Sequence, residues 1–144
     1  MFADLIARLT ATDPAPASDA DARLALGALL VRLARADDDY AAIEQVRIKT
    51  ILERRYGLSD GTALLAECEA LEQEAPDTVR FTRAIKDAVP YEDRLSVIEA
   101  MWDIVLADGH RDDDENSLMR MVAPMLGVAD QDSNAARRRI EARQ

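Results

Sequence analysis

The sequence predicts an all-α fold, and three features support that prediction. Ala, Leu, Glu and Arg, which are strong helix formers, dominate the chain. Apolar residues recur at the i, i+3, i+4, i+7 spacing of a helix face rather than at every second position. Gly and Pro stand at intervals that suit helix ends. With 144 residues, 49% of them apolar, the chain can bury a sizeable core, and we expect one helical domain over residues 1–144.

The spacing of Gly, Pro and Asp-rich segments predicts about eight helices in a single bundle. The first three are expected at about 2–9, at 19–35, and from the loop at 37–39 to 56. The others are expected at 61–73, 77–89, 92–106 and 113–126, with a last helix in a segment that includes 136–144. Two apolar stripes are predicted to face the core: Leu26, Leu29, Leu30 and Leu33, and then Leu95, Ile98, Trp102 and Val105. The methionines at 101, 119, 121 and 125 are also expected in the core.

The formal net charge is 18 − 28 = −10. Such a chain repels nucleic-acid phosphates and anionic membrane surfaces, so neither is an expected partner, whereas cations and basic proteins are favoured. No apolar run approaches the roughly 20 residues of a spanning helix, and no secretory signal is visible. We therefore expect a soluble, cytoplasmic protein that does not insert into membranes.

The cysteine and histidine content limits the chemistry of the chain. A single Cys68 and a single His110 exclude an internal disulfide and a Cys/His zinc site within one chain. No nucleophile and base are spaced plausibly for catalysis, so an enzyme is not predicted, and a metal-dependent hydrolase is the weakest alternative. We interpret Cys68 as a helical core residue and His110 as a polar loop residue.

The chain contains an internal repeat with an offset of 71 positions (108 − 37). Ala36, Asp37 and Glu44 of the first copy match Ala107, Asp108 and Glu115 of the second. After the loss of one residue, Gly57 matches Gly127. This pattern predicts two four-helix halves, about 1–74 and 77–144, related by a pseudo-two-fold axis.

Each copy places acidic residues in a short turn between two helices. Asp37 and Asp108 each follow a long helix, whose negative dipole end disfavours a carboxylate. Further aspartates stand nearby, and Glu44 and Glu115 fall in the first turn of the next helix. A hard divalent cation would relieve this repulsion, and Ca²⁺, which takes 6–8 oxygen ligands, is the first choice, with Mg²⁺, Mn²⁺ or Zn²⁺ as alternatives.

A purely structural interpretation of these turns also has support. Aspartates between helices are common N-caps, and Asp112 with Glu115 would make a capping box, although Ala41 stands at the equivalent position in the first copy. The turns are not EF-hands, because position 12 of such a loop would be Ile48 or Met119.

Two helical repeats that each carry an acidic Ala-Asp-x6-Glu turn resemble the TerB-like family, named for tellurite-resistance proteins. The resemblance covers about residues 20–130. It implies an all-helical fold, a divalent-metal site and a bacterial stress-response role with protein partners, some of them membrane-associated. Carried onto this chain, the implied metal ligands are Asp37, Asp39, Glu44, Asp108, Asp112 and Glu115. The first copy reads ADDD where the second reads ADG, which points to a weaker first site.

The function predicted from the sequence is therefore a non-enzymatic, metal-binding stress-response or interaction module. The alternative is a metal-free acidic adaptor that docks a basic protein. The basic residues near the C-terminus, Arg137, Arg138, Arg139 and Arg143, are interpreted as charges that stabilise a helix end.

Overall fold

A computed structural model describes residues 19–36, 40, 42–75, 78–106 and 113–143, without the side chains of Asp19 and of residues 113–115. This part of the chain is all-helical and contains no β-strand. The predicted helix at 2–9 lies outside it. The seven helices are α1 (Asp19–Ala34), α2 (Ala42–Tyr56), α3 (Thr62–Glu74), α4 (Val79–Ala88), α5 (Tyr91–Val105), α6 (Asp113–Met125) and α7 (Asp130–Ala142).

Helix α1 is the centre of the bundle. It contacts each helix from α2 to α6, most extensively α3 and α4. The predicted stripe is confirmed, since all four of its leucines have no exposed surface. The prediction of a single buried face is incomplete, however. Ala25, Ala28, Val31 and Ala34, on the other sides of α1, are also fully buried. A helix that is apolar all round belongs in the interior of a bundle.

The contact between α1 and α3 depends on a glycine. At Gly27, an added Cβ atom would overlap the Sγ atom of Cys68 and lie 3.0 Å from its Cβ atom. Cys68 is fully buried, which confirms its predicted core position, and burial followed by the charges of Glu67 and Glu69 raises the pKa of its thiol to about 12. The two helices approach closely because one carries no side chain at this point.

Two glycines that the repeat matches to each other end α2 and α6. Gly57 and Gly127 have φ angles of 65° and 76°, in the left-handed region that favours glycine. In each case the next amide, that of Leu58 or Val128, donates to a carbonyl five residues earlier at 2.9 Å. This is the Schellman arrangement that satisfies the last carbonyls of a helix.

The two halves share their helix order and their contacts. Helices α1, α2 and α3 contact one another pairwise, and so do α5, α6 and α7. Across the halves, α1 contacts α6 and α5 contacts α2, while α1 and α5 meet at the centre. A pseudo-two-fold axis would relate the α1–α6 contact to the α5–α2 contact. The contacts therefore support the predicted repeat, and the axis itself stays a prediction.

The second half closes around Trp102. Its indole nitrogen donates a buried hydrogen bond of 3.1 Å to Ser133 Oγ, which joins α5 to α7.

Met101 and Met119 are buried as predicted, whereas Met121 is 44% exposed and the prediction of a core position is wrong for it. Within the described ranges, none of the helices combines the length and the apolar character needed to cross a bilayer.

The Gly27–Cys68 contact gives a first testable prediction. Gly27→Ala should lower the free energy of unfolding by about 1–3 kcal/mol, the usual range for overpacking a core. Urea denaturation followed by circular dichroism measures the change. In the Cys68→Ala background the same substitution should cost less, because the overlapping sulfur atom is gone. Strictly additive effects of the two substitutions would contradict this explanation.

Candidate functional site

The structure describes only part of the predicted metal site. Asp37, Asp39, Asp108 and Asp112 lie outside the described residues, as does His110. Glu115 stands in the first turn of α6, but its side chain is also outside the described part. Glu44, in the first turn of α2, is the one predicted ligand whose side chain is described. The residues described in the structure contain no group of three or more His, Cys, Asp or Glu side chains that could hold a metal.

Glu44 is a buried carboxylate. Its exposure is only 3%, although glutamates are almost never fully buried unless they are paired. The positive end of the α2 dipole offsets part of the desolvation cost, and Glu44 is also among the residues that interact with others in the structure. The sequence correctly placed Glu44 in the first turn of its helix, but not its burial.

The two acidic turns are flanked by residues that lie together. Ala36, directly before Asp37, lines an open cleft of about 460 Å³ together with Ser117 and Leu118 of α6. Ser117 follows Glu115 by two positions. The end of α1 therefore lies beside the first turns of α6, so the residues next to the first acidic turn meet those next to the second.

A reciprocal contact joins α2 to α5. Arg47 Nη1 lies 3.6 Å from Asp103 Oδ1. Arg47 comes three residues after Glu44, and Asp103 is in the last turn of α5. The end of α5 therefore lies beside the start of α2, just as the end of α1 lies beside the start of α6. The described flanks of the two acidic turns therefore lie at the same end of the bundle.

Arg35 and Tyr40 bracket the first acidic turn. The Arg35 guanidinium carbon lies 4.8 Å from the centre of the Tyr40 ring, a cation–π contact across residues 36–39. Gln45 of α2 donates a 3.2 Å hydrogen bond to the Tyr40 carbonyl. Burial, and then the nearby Glu69 carboxylate, raise the pKa of the Tyr40 hydroxyl, so this ring stays neutral at physiological pH. The two ends of the turn are thus held close together.

Arg32 anchors the end of α1 beneath this region. Its Nη2 atom donates to the carbonyl oxygens of Glu72 at 2.8 Å and Ala75 at 2.7 Å. Its Nε atom lies 3.4 Å from the Glu72 carboxylate, and its guanidinium stacks over Phe81 with a distance of 5.0 Å. Arg32 thereby satisfies carbonyls at the end of α3 and holds α1, α3 and the start of α4 in one arrangement.

The family model for the tellurite resistance protein TerB matches residues 23–138 of the chain. The chain belongs to the TerB family. The match extends from α1 into α7 and includes both acidic turns, which agrees with the resemblance stated from the sequence. No curated protein and no solved structure shows a significant match.

Several residues that shape this end of the bundle were missed by the sequence reasoning. Arg32 stands inside the apolar run LLVRLA, and a lone charge in such a run was the available signal for a buried anchor. No comparable signal identified the Arg47–Asp103 pair, because both residues belong to ordinary polar helix surfaces and meet only across the bundle.

Loss of Arg32 should destabilise the fold. We expect Arg32→Met to lower the free energy of unfolding by about 2–3 kcal/mol, since it removes two charge-assisted hydrogen bonds and leaves two carbonyls without their donor. Chemical denaturation measures this loss. Arg138→Met, which removes an exposed arginine from α7, serves as the control and should change stability by less than about 0.5 kcal/mol. Equal effects of the two substitutions would contradict an anchoring role.

Proposed function

We propose that this TerB-family chain is a divalent-cation-binding, non-enzymatic module that acts in a cytoplasmic stress response through protein partners. The observation that carries the proposal is that the described ends of α1 and α5 lie beside the first turns of α6 and α2. The segments that follow α1 and α5 in the sequence each contain the acidic pattern, in a chain of net charge −10. Ca²⁺ is the preferred ion, because carboxylate and carbonyl oxygens are its usual ligands.

The fold suggests what a bound cation would do. Asp37 and Asp108 follow the C-terminal ends of α1 and α5, while Glu44 and Glu115 belong to the first turns of α2 and α6. These four helices already contact one another crosswise. A cation held by the two turns would join four helix ends and fix the angles between them, and so control the shape of the cleft beside Met121. A protein partner, for example a membrane-associated resistance protein, would then recognise the fixed shape.

The cation proposal is tested by thermal unfolding. Protein freed of metal with EDTA should gain stability when Ca²⁺ is added, and less when Mg²⁺, Mn²⁺ or Zn²⁺ is added. A hundredfold excess over Kd gives about 2.7 kcal/mol, which for a chain of this size raises Tm by roughly 5–10 °C. The double substitution Asp108→Asn with Glu115→Gln should abolish the gain.

A matched control separates a specific site from general charge effects. Asp87→Asn with Glu92→Gln removes the same two charges from exposed positions on either side of the α4–α5 connection, at the opposite end of α5 from the second acidic turn, and should retain the full Ca²⁺ response. An absence of any shift with all four ions would reject the cation site. It would favour the metal-free adaptor, in which the same acidic end docks a basic protein.

The stress-response role needs a cellular test. In a bacterial strain that lacks its own TerB-family gene, expression of this chain should restore growth on tellurite. The Asp108→Asn, Glu115→Gln variant should fail, because the cation would no longer fix the partner surface, whereas the Asp87→Asn, Glu92→Gln variant should succeed. The readout is the minimal inhibitory concentration of tellurite. Equal rescue by both variants would contradict the proposal that cation binding is needed for the stress-response role.

A further inference from the structure

A cleft of about 360 Å³ lies between the first turns of α1 and α3. The apolar part of its wall consists of Ala20, Leu24, Leu58, Ala63 and Leu64. Its three leucines are only partly buried. The cleft is at the opposite end of α1 from the first acidic turn, and nothing in the proposed cation function involves it. It is therefore an apolar surface that the article's other conclusions leave without a cover.

The second half covers the corner that corresponds to this cleft. At Gly127, between α6 and α7, an added Cβ atom would lie 4.0 Å from Cε2 of Tyr91. At the matching Gly57 it would have no neighbour within 4 Å in the described part of the chain. The repeat matches Tyr91 to Ala20, which has only a methyl side chain. Among the described residues, the corner of the first half thus lacks the ring that covers its counterpart, and Leu58 beside it lines the cleft.

Both halves place an arginine near the start of a long helix, Arg23 in α1 and Arg94 in α5, at the repeat offset of 71. Arg94 donates through Nε to the Val89 carbonyl at 3.0 Å and through Nη1 to the Leu126 carbonyl at 3.3 Å. Val89 belongs to the connection that precedes α5. The Arg23 guanidinium carbon lies 4.4 Å from the centre of the Tyr56 ring, and its buried Nε atom has no acceptor among the described residues. That donor matches the one that Arg94 gives to the connection before its helix.

The sequence places an apolar segment directly before the cleft. Residues 14–18 read Pro-Ala-Pro-Ala-Ser and lie outside the described part of the chain. Asp19 begins α1 and Ala20 lines the cleft, so this segment joins the helix at the cleft. Five extended residues reach about 17 Å, whereas Ala20 and Leu24 are about 6 Å apart along the helix. Proline has no amide hydrogen, so two of the five residues bring no unpaired donor to an apolar wall.

We propose that residues 14–18 lie over this cleft and cap the first half of the bundle. In this arrangement the Ser18 carbonyl, which the offset of 71 matches to that of Val89, accepts a hydrogen bond from Arg23 Nε. The prolines and alanines remove the leucines of the cleft from water. The surface is thus an intramolecular docking site, and its occupant is supplied by the same chain.

A double-mutant cycle in the full chain tests the contact. Pro16→Gly and Leu64→Ala are introduced singly and together, and urea denaturation in EDTA gives the unfolding equilibrium constant of each variant. If residue 16 covers Leu64, the combined effect should be smaller than the product of the two single effects by about fivefold. Effects that multiply within about twofold would overturn the proposal. Because EDTA removes divalent cations, the result does not depend on the cation site.

A matched control cycle uses Leu118→Ala in place of Leu64→Ala. Leu118 is also a partly buried leucine, but it lies beside Ala36 at the other end of α1. Its effect should multiply with that of Pro16→Gly within about twofold. Equal coupling in the two cycles would reject the cleft as the contact of residue 16. Leu64→Val, a smaller change, replaces Leu64→Ala if that variant loses the helical circular dichroism of the parent.

The hydrogen bond to Ser18 has its own test. Arg23→Met should raise the unfolding equilibrium constant by more than about tenfold, in the same direction as Arg94→Met, since each removes a charge-assisted hydrogen bond. Loss of the contact with Tyr56 alone would account for about two- to fivefold. An increase within that smaller range would contradict the hydrogen bond. Arg138→Met, at an exposed position of α7, should change the constant by less than about twofold.

The origin of the covering segment is tested by protein concentration. The Pro16–Leu64 cycle is repeated at two concentrations that differ by about a hundredfold. A segment of the same chain gives a coupling that does not depend on concentration. Coupling that increases with concentration would assign the cleft to a second copy of the chain and would overturn the proposal.

Discussion

The burial of residues 25–31 of α1 on every side is the constraint on which the rest of the structure depends. A helix with apolar residues on every side must be covered on every side, and five other helices contact it. Close packing has to be reached around its whole circumference. Gly27 admits the Cys68 sulfur on one side, and Leu26, Leu29 and Leu30 fill the remaining space.

A central helix also determines where its own end lies. The last turn of α1 carries Arg32, whose charge is compatible with this position because it donates to two carbonyls at the end of α3 and the α3–α4 connection. This arrangement places Ala36, and so the start of the first acidic turn, beside α6. The Arg47–Asp103 ion pair likewise places the end of α5 beside the start of α2. The proximity of the residues that flank the two acidic turns is therefore a consequence of core packing.

The two halves use different side chains to join their helices. The α1–α3 pair closes through a glycine and a buried thiol, whereas the α5–α7 pair is joined by the Trp102–Ser133 hydrogen bond. The larger indole ring and the arginines beside it leave a polar pocket in the second half. The two halves therefore share their helix order and contacts but differ in the side chains that join their helices.

The sequence by itself determined the all-α class, the ends of most helices and the family. Periodicity, glycine stops such as Gly57 and Gly127, and the Ala-Asp-x6-Glu pattern are local properties that one segment carries without reference to the others. The sequence could not reveal that the middle of α1 is buried on all sides, that Met121 is exposed, or that Arg47 and Asp103 form an ion pair. Those facts depend on which faces meet across the bundle, and contacts between residues far apart in the chain are decided by packing rather than by local spacing. Only the tertiary structure brought the flanks of the two acidic turns to one end, because that placement follows from the crosswise contacts of α1 with α6 and of α5 with α2.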